Sequence, residues 1–317
     1  MLSTIGNINW FCGYCSVMLA FPVAGYLYSK GRGKQILLYL CSVLGLTLLC
    51  MQGSTVGPVI AVVGIGICLL SGLKNPQCFR RGLLLALGVC LLFPMMGRLI
   101  SLRNAQAATP VDGDIYAVML WNIWWLLAFV IGIVYLLHTR LNGRAQKYMV
   151  RTLVLLGVVS LGCVFGYGVW SLTASGTVAW GSGRGGLWRA AITGFLEGDW
   201  KQRFVGAGPD CFAEYIYGMP TASAWIQMEG HWANSIFTNA HNEWLTQLIN
   251  IGVPGMLAYL SVFVFGLKRY RGMPLGVLAL GMYGVASLVG FQQVMNTPLL
   301  FVVLGICENR YRKAMIM

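Results

Sequence analysis

Nine apolar runs alternate with short polar breaks along the chain: 9–28, 35–52, 55–73, 82–100, 117–138, 148–172, 244–267, 273–291 and 296–309. A transmembrane helix needs about 17–25 apolar residues. The pattern predicts an all-α fold, a polytopic bundle of about nine spans with the last one short. One interruption stands out. Between the sixth and seventh runs lie about 70 residues, 173–243, far more than an ordinary connection uses. The expected organisation is therefore N-terminal spans over 1–172, an extracytoplasmic loop over 173–243 and C-terminal spans over 244–317.

The long loop does not read as disordered, because it carries Trp180, Trp188, Trp200, Phe204, Phe212, Tyr215, Tyr217, Trp225, Trp232 and Phe237. Apolar residues at 187, 188, 191, 192, 195 and 196 have helical spacing. They predict an amphipathic helix at the membrane surface. A second short helix is expected over 210–217, with Gly206, Ala207, Gly208 and Pro209 as the turn between them.

Composition agrees with a membrane protein: 57% of the 317 residues are hydrophobic and 10% charged, against about a quarter charged in soluble domains. The net charge of +13 would suit a nucleic-acid partner, but the placement of the charges excludes one. Sixteen of the 22 basic residues fall in five short clusters between apolar runs: Lys30/Arg32/Lys34, Lys74/Arg80/Arg81, Arg140/Arg144/Lys147/Arg151, Lys268/Arg269/Arg271 and Arg310/Arg312/Lys313. Eight of the nine acids lie in the opposite set of loops, Glu308 excepted. This is the positive-inside pattern. It puts the N-terminus outside, the C-terminus in the cytoplasm and the long loop outside. No cleavable signal peptide is expected, since 1–9 carries no basic residue. Of ten cysteines, eight fall in apolar runs, Cys78 lies in a cytoplasmic loop and Cys211 stands outside. They read as small apolar filler, not as a disulfide framework.

Chemistry is concentrated in the loop. His241, with Asn242 and Glu243, sits at the mouth of the seventh run. Polar groups there are costly unless something uses them. A histidine titrates near neutral pH and can take a proton from an attacking hydroxyl; the plainer reading is an interfacial cap. His231 is a rival in the same loop, and His138 reads as a cytoplasmic interface residue. Arg184 offers a planar fork that suits phosphate, either of a lipid headgroup or of a lipid-linked substrate. Arg189 would point to another helix face, and Arg203 is a third cation near the turn. Gly181, Gly183, Gly185, Gly186, Gly206 and Gly208 would let backbone N–H groups approach a phosphate. Seven of the eleven tryptophans fall between Trp170 and Trp244, as an aromatic belt or as stacking surfaces for sugars. There is no HExxH motif and no cluster of His, Cys and acidic residues at metal-ligand spacing, so neither a catalytic metal nor a cofactor is expected.

The ordered motifs resemble those of the O-antigen ligase/polymerase superfamily, membrane enzymes that join or polymerise undecaprenyl-linked glycans. Asn7, Asn9 and Trp10 resemble its N-x-N-aromatic start of a span. Arg184 with Trp188 resembles its R-x-x-x-W, and Gly206, Gly208, Pro209 and Asp210 its G-x-G-P-D turn. His241, Asn242, Glu243 and Leu245, followed by Gly252 and Gly255, resemble its H-N-E-x-L…G-x-x-G. The resemblance runs along most of the chain. It implies a GT-C-like fold in a bacterial cytoplasmic membrane and metal-independent glycosyl transfer. The donor would be an undecaprenyl-pyrophosphate-linked glycan, and the acceptor a hydroxyl of a glycan, lipid, protein or wall polymer. His241 would activate or position the acceptor and Arg184 would hold the pyrophosphate. Trp188, Arg189, Arg203, Gly206, Gly208, Asp210, Asn242 and Glu243 would bind substrate. The short chain and the Gly-Pro-Asp turn favour polymerase over ligase. Two departures are visible. Members commonly have several more N-terminal spans. Where they often carry Ser-Arg-Gly, this chain has Gly53, Ser54 and Thr55, so a second phosphate contact is either missing or supplied by Arg189, Arg203 or Arg98.

The competing reading is a non-catalytic carrier, flippase or scaffold for lipid-linked glycans. Transport paths usually need polar groups at mid-membrane. The second, third, fifth and sixth runs have almost none, with Gln52 and Asn122 near their ends. Polar groups collect on the outer face instead, which favours surface chemistry.

Overall fold

A computed structural model of the protein describes residues 7–105, 114–174, 183–228 and 236–316. These residues are all-helical, without a strand among them. In chain order the helices are α1 (Ile8–Met18), α2 (Ala20–Tyr28), α3 (Arg32–Met51), α4 (Val56–Ser71), α5 (Pro76–Asn104), α6 (Asp114–Met119), α7 (Ile123–Arg140) and α8 (Gly143–Ala174). Then come α9 (Arg184–Glu197), α10 (Trp200–Val205), α11 (Phe212–Tyr217), α12 (Pro220–Gln227), α13 (Glu243–Arg269), α14 (Pro274–Ala286) and α15 (Thr297–Ile316). Each expected apolar run falls on one of these helices, except that 9–28 covers the pair α1–α2 and 117–138 runs from α6 into α7.

Length and apolarity together single out fewer segments. Among the described residues, five stretches are long and apolar enough to cross a membrane: Ile8–Tyr28, Arg32–Met51, Pro76–Asn104, Ile123–Arg140 and Glu243–Arg269. Val56–Ser71 and Pro274–Ala286 are apolar but shorter. α4 is cut short by Gly53 in a left-handed turn (φ +82°) before it and by Gly72 after it. The boundaries follow from local chemistry elsewhere too. Asn75 caps α5 through its side chain, and Pro76 occupies the first helical position, where its missing N–H costs nothing. Asn7 caps α1 in the same way, and Asn9 accepts a hydrogen bond from Ser54 Oγ at 2.7 Å.

The chain divides into two compact units. The first comprises Met1–Gly157, Arg269–Ala286 and Met295–Met317. Within it α5 packs along α3, α4 and α7, while α14 packs on α1, α2 and α4. Cys12, Cys15, Cys50 and Cys68 are buried in its core as unpaired thiols, the filler role expected of them. The buried Arg81 guanidinium donates to the Tyr26 and Ser29 carbonyls at 2.6 and 3.0 Å. It thereby satisfies carbonyls that the end of α2 leaves open.

The second unit comprises Val158–Lys268 and Ser287–Val294. The helix expected over 187–196 is α9, and the one expected over 210–217 is α11. Two further short helices, α10 and α12, were not foreseen. α10 opens with a reciprocal capping box between Asp199 and Gln202. Leu187, Ala190 and Ala191 of α9 bury themselves against Phe212, Ile216, Ala222 and Ile226, so the loop has a core of its own.

The span expected over 244–267 falls on α13, and the helix is not continuous there. Its backbone leaves helical geometry at Gly252 (φ +65°, ψ −175°). The Trp244 ring lies 4.9 Å from Phe263 and 5.5 Å from Tyr259. In a continuous helix, 1.5 Å per residue would separate Trp244 from Phe263 by about 28 Å. The helix is therefore bent back sharply, with a short arm before Gly252 and a longer arm after it. The cause is in the sequence: glycine tolerates the positive φ, and Pro254 cannot continue the ladder of the first arm.

Candidate functional site

His241 sits in the turn that leads into the short arm of α13. Its backbone is left-handed (φ +48°), one of two such non-glycine residues described, the other being Asp210 (φ +61°). Histidine, asparagine and aspartate tolerate this region better than most side chains. The turn is held by named bonds. The His241 N–H donates to Asn239 Oδ1 at 3.0 Å, and the Ala240 N–H to Thr246 Oγ1 at 3.0 Å. The imidazole is half-buried between the edges of Phe237 and Phe291, with ring centroids 5.7 and 5.2 Å away. Burial pushes its pKa down to about 4, and the nearby Arg184 charge pushes the same way. At neutral pH it is an uncharged imidazole able to accept a proton.

Arg184 is the first residue of α9, directly after Gly183 in a left-handed turn (φ +90°). It is half-buried, and that burial lowers its pKa. The N-terminal end of a helix already carries partial positive charge. A guanidinium there adds to it, so an anion is favoured at this end of α9. The Arg184 charge reaches His241 although the two residues stand far apart in the chain.

Asn242 and Glu243 face inward. Asn242 is buried and caps α13, accepting the Leu245 N–H at 3.0 Å through Oδ1. Glu243 is 1% exposed; its N–H donates to the Ser287 carbonyl at 2.8 Å, and its carboxylate accepts from the Tyr259 hydroxyl across the bend. These contacts fix the turn that presents His241. Losing the cap in Asn242→Ala should cost about 1 kcal/mol, read as a lowered unfolding midpoint in detergent with the helix content unchanged.

The other expected residues sit on neighbouring faces. Trp188 is half-buried against the core of the loop. Arg189 stacks its guanidinium over Trp225 at 5.0 Å. Arg203 is exposed and donates to the Leu196 carbonyl, closing the turn between α9 and α10. Arg98, in the first unit, donates to Asn122 Oδ1 at 3.2 Å. Gly181, Trp180, His231 and Trp232 lie outside the described residues.

The glycine turn has a definite task. The short arm of α13 leaves its last carbonyls without helical donors, and Pro254, lacking an N–H, cannot serve the Asn250 carbonyl four residues back. The Ala207 and Gly208 N–H groups fill this gap, donating to the Ile249 and Asn250 carbonyls at 2.8 and 3.0 Å. Gly206 (φ +87°) and Gly252 (φ +65°) make the approach possible. A Cβ on Gly206 would overlap the Asn250 carbonyl, and one on Gly252 would overlap the Phe204 carbonyl. The G-x-G-P-D turn and the glycine-proline segment of the second motif are thus two halves of one backbone junction. Asp210 follows it, exposed.

Phe237, Phe291, Tyr259 and Ser287 belong to the site, although the sequence did not point to them. Phe291 and Ser287 come from the segment after α14, and no spacing links them to His241. Among the described residues, no group of three or more His, Cys, Asp or Glu could hold a metal ion. Comparison of the chain with family models, with curated proteins and with solved structures finds no match.

Proposed function

We propose that the chain is a metal-independent membrane glycosyltransferase that moves or polymerises a glycan from undecaprenyl pyrophosphate onto an acceptor hydroxyl. The reading places the apolar helices as a GT-C-like bundle of about nine segments in a bacterial cytoplasmic membrane, N-terminus outside and C-terminus inside. The observation that carries it is an uncharged, half-buried His241, held in a left-handed turn within the field of a half-buried Arg184. A proton acceptor beside an anion-binding cation is what this reaction needs. The acceptor oxygen forms a bond to the anomeric carbon of the donor while that carbon's bond to the pyrophosphate oxygen breaks. The hydroxyl proton passes to the imidazole, and the electron pair leaves with the pyrophosphate. Arg184 offsets the charge that grows on the departing oxygens, a preorganised electrostatic role. The motif order that resembles the O-antigen ligase/polymerase superfamily supports the same reaction, with a polymerase favoured over a ligase.

The test is release of undecaprenyl pyrophosphate by the purified protein from lipid-linked glycan and acceptor, followed against pH. His241 is depressed to about 4 by burial and by Arg184, so its basic form predominates above that value. kcat/KM should hold level through pH 6.5, the ordinary histidine range, and fall only as pH approaches 4. Stability should follow the linked sign. Between about 6.5 and 4 the unfolded histidine is protonated and the folded one is not, so acidification through that window destabilises the fold. A pyrophosphate bound at Arg184 offsets the cation and raises the histidine pKa, so kcat should lose activity at a higher pH than kcat/KM. Absence of released undecaprenyl pyrophosphate at every pH would turn the reading to a carrier, flippase or scaffold.

A further inference from the structure

We propose that a cavity between the α4–α5 turn and the start of α8 binds the phosphate headgroup of an anionic membrane lipid. The cavity measures about 130 Å³, and Lys74, Lys147, Arg151, Gln146, Leu73 and Val150 line it. That is room for one phosphate group and not for an oligosaccharide. Two segments far apart in the chain bring three cations to it, and no acidic side chain lines it. Among the described residues the ion pairs run from Arg269 and Arg312 to Glu308, so none of the three cations has a carboxylate partner. Lys147 and Arg151 stand one turn apart on the same face of α8, where like charges repel. A bound anion relieves that repulsion.

The rest of the cavity selects a lipid over free phosphate. Its floor is apolar: Val150 is buried with Phe79 and Leu83. Leu73 is exposed at the rim, and Leu155 is exposed one turn beyond Arg151 on the same face of α8. A phospholipid uses both halves, with its phosphate at the cations and its chains along the leucines. Inorganic phosphate uses the cations alone. The Gln146 amide donates to the His138 carbonyl at 3.0 Å, tying the start of α8 to the end of α7 and holding the cavity open. The charge pattern assigns these clusters to the cytoplasmic side, where basic pockets between spans meet anionic headgroups. The inference is independent of the glycosyl-transfer reading.

The test is lipid binding by the whole protein in neutral-detergent micelles, titrated with phosphatidylglycerol and followed by native mass spectrometry. Wild type should retain one phosphatidylglycerol in preference to phosphatidylcholine. The exposed pair Lys147→Gln/Arg151→Gln should bind it about twenty-five-fold more weakly, at about five-fold for each cation lost. The control pair Arg32→Gln/Lys34→Gln, from another basic cluster, should bind as wild type, and size-exclusion profiles should show both pairs folded. Millimolar inorganic phosphate should not displace the lipid. Equal binding by Lys147→Gln/Arg151→Gln and wild type, or equal loss in the control pair, would reduce the cavity to a general basic surface and overturn the proposal. Displacement by inorganic phosphate would overturn the lipid as its ligand.

Discussion

His241→Ala is expected to lower glycan transfer by about two to four orders of magnitude, the range for loss of a positioned general base. The protein should still reach the membrane in normal amounts, and lipid-linked donor should accumulate unused. The argument starts from the backbone. His241 holds φ +48°, and alanine pays more than asparagine or glycine for that conformation. The alanine variant alone therefore mixes loss of the imidazole with strain in the turn. His241→Asn and His241→Gly separate them, because both accept the left-handed turn and neither can take a hydroxyl proton. Loss of transfer in all three, with normal expression, assigns the loss to the imidazole. Transfer at the wild-type rate in His241→Gly would make His241 a turn residue, and the catalytic reading would fail. Arg184→Ala supplies the second arm. Groups that act on one transition state give strongly non-additive losses, so the double variant should fall little below the worse single one.

The helices were legible because their signal is local. Apolar runs, Asn7 and Asn75 as caps and Pro76 at a first turn are all written within a few residues of the element they define. The bend in α13 was written there too. Gly252 followed by Pro254 is a helix stop signal, but the apolar residues on both sides carried the hydropathy pattern through it. His241 and Arg184 could be singled out because a histidine and an arginine beside apolar segments are conspicuous. The roles of Asn242 and Glu243 could not, since a polar residue next to a catalytic candidate looks the same whether it faces a substrate or caps a helix. In the structure their partners are Leu245, Tyr259 and Ser287. Tyr259 reaches Glu243 only because the helix folds back, and no helical periodicity contains that contact. The pairing of Ala207 and Gly208 with Ile249 and Asn250 was hidden for a similar reason. It joins backbone to backbone, and backbone leaves no residue-type signature beyond the glycines that permit it.

Those glycines carry the second large effect. Gly206→Ala and Gly252→Ala should each destabilise the loop unit by about 3 kcal/mol or more. Both residues combine positive φ with ψ near 180°: φ +87° and ψ 174° at Gly206, φ +65° and ψ −175° at Gly252. That region is essentially closed to residues with a Cβ and costs about 1–3 kcal/mol by itself. A second cost adds to it, because each new methyl would meet a backbone carbonyl, of Asn250 in one case and of Phe204 in the other. A flexible side chain could swing aside; these carbonyls can move only by parting the junction. Parting it strands the buried Ile249 and Asn250 carbonyls, and with them the half-buried Ala207 and Gly208 N–H groups that now satisfy them, and a buried polar group without a partner is costly. Thermal unfolding in detergent, with limited proteolysis across 183–228, reads the effect. Gly162→Ala is the internal comparison. A Cβ there has no atom within 4 Å, and its φ is not among the positive ones. It should unfold within a few degrees of wild type while Gly206→Ala and Gly252→Ala become protease-sensitive. Equal stability in all three would mean that the junction does not hold the loop in place. Because the junction anchors the short arm that begins just after His241, its loss should also abolish transfer in variants whose His241 and Arg184 are intact.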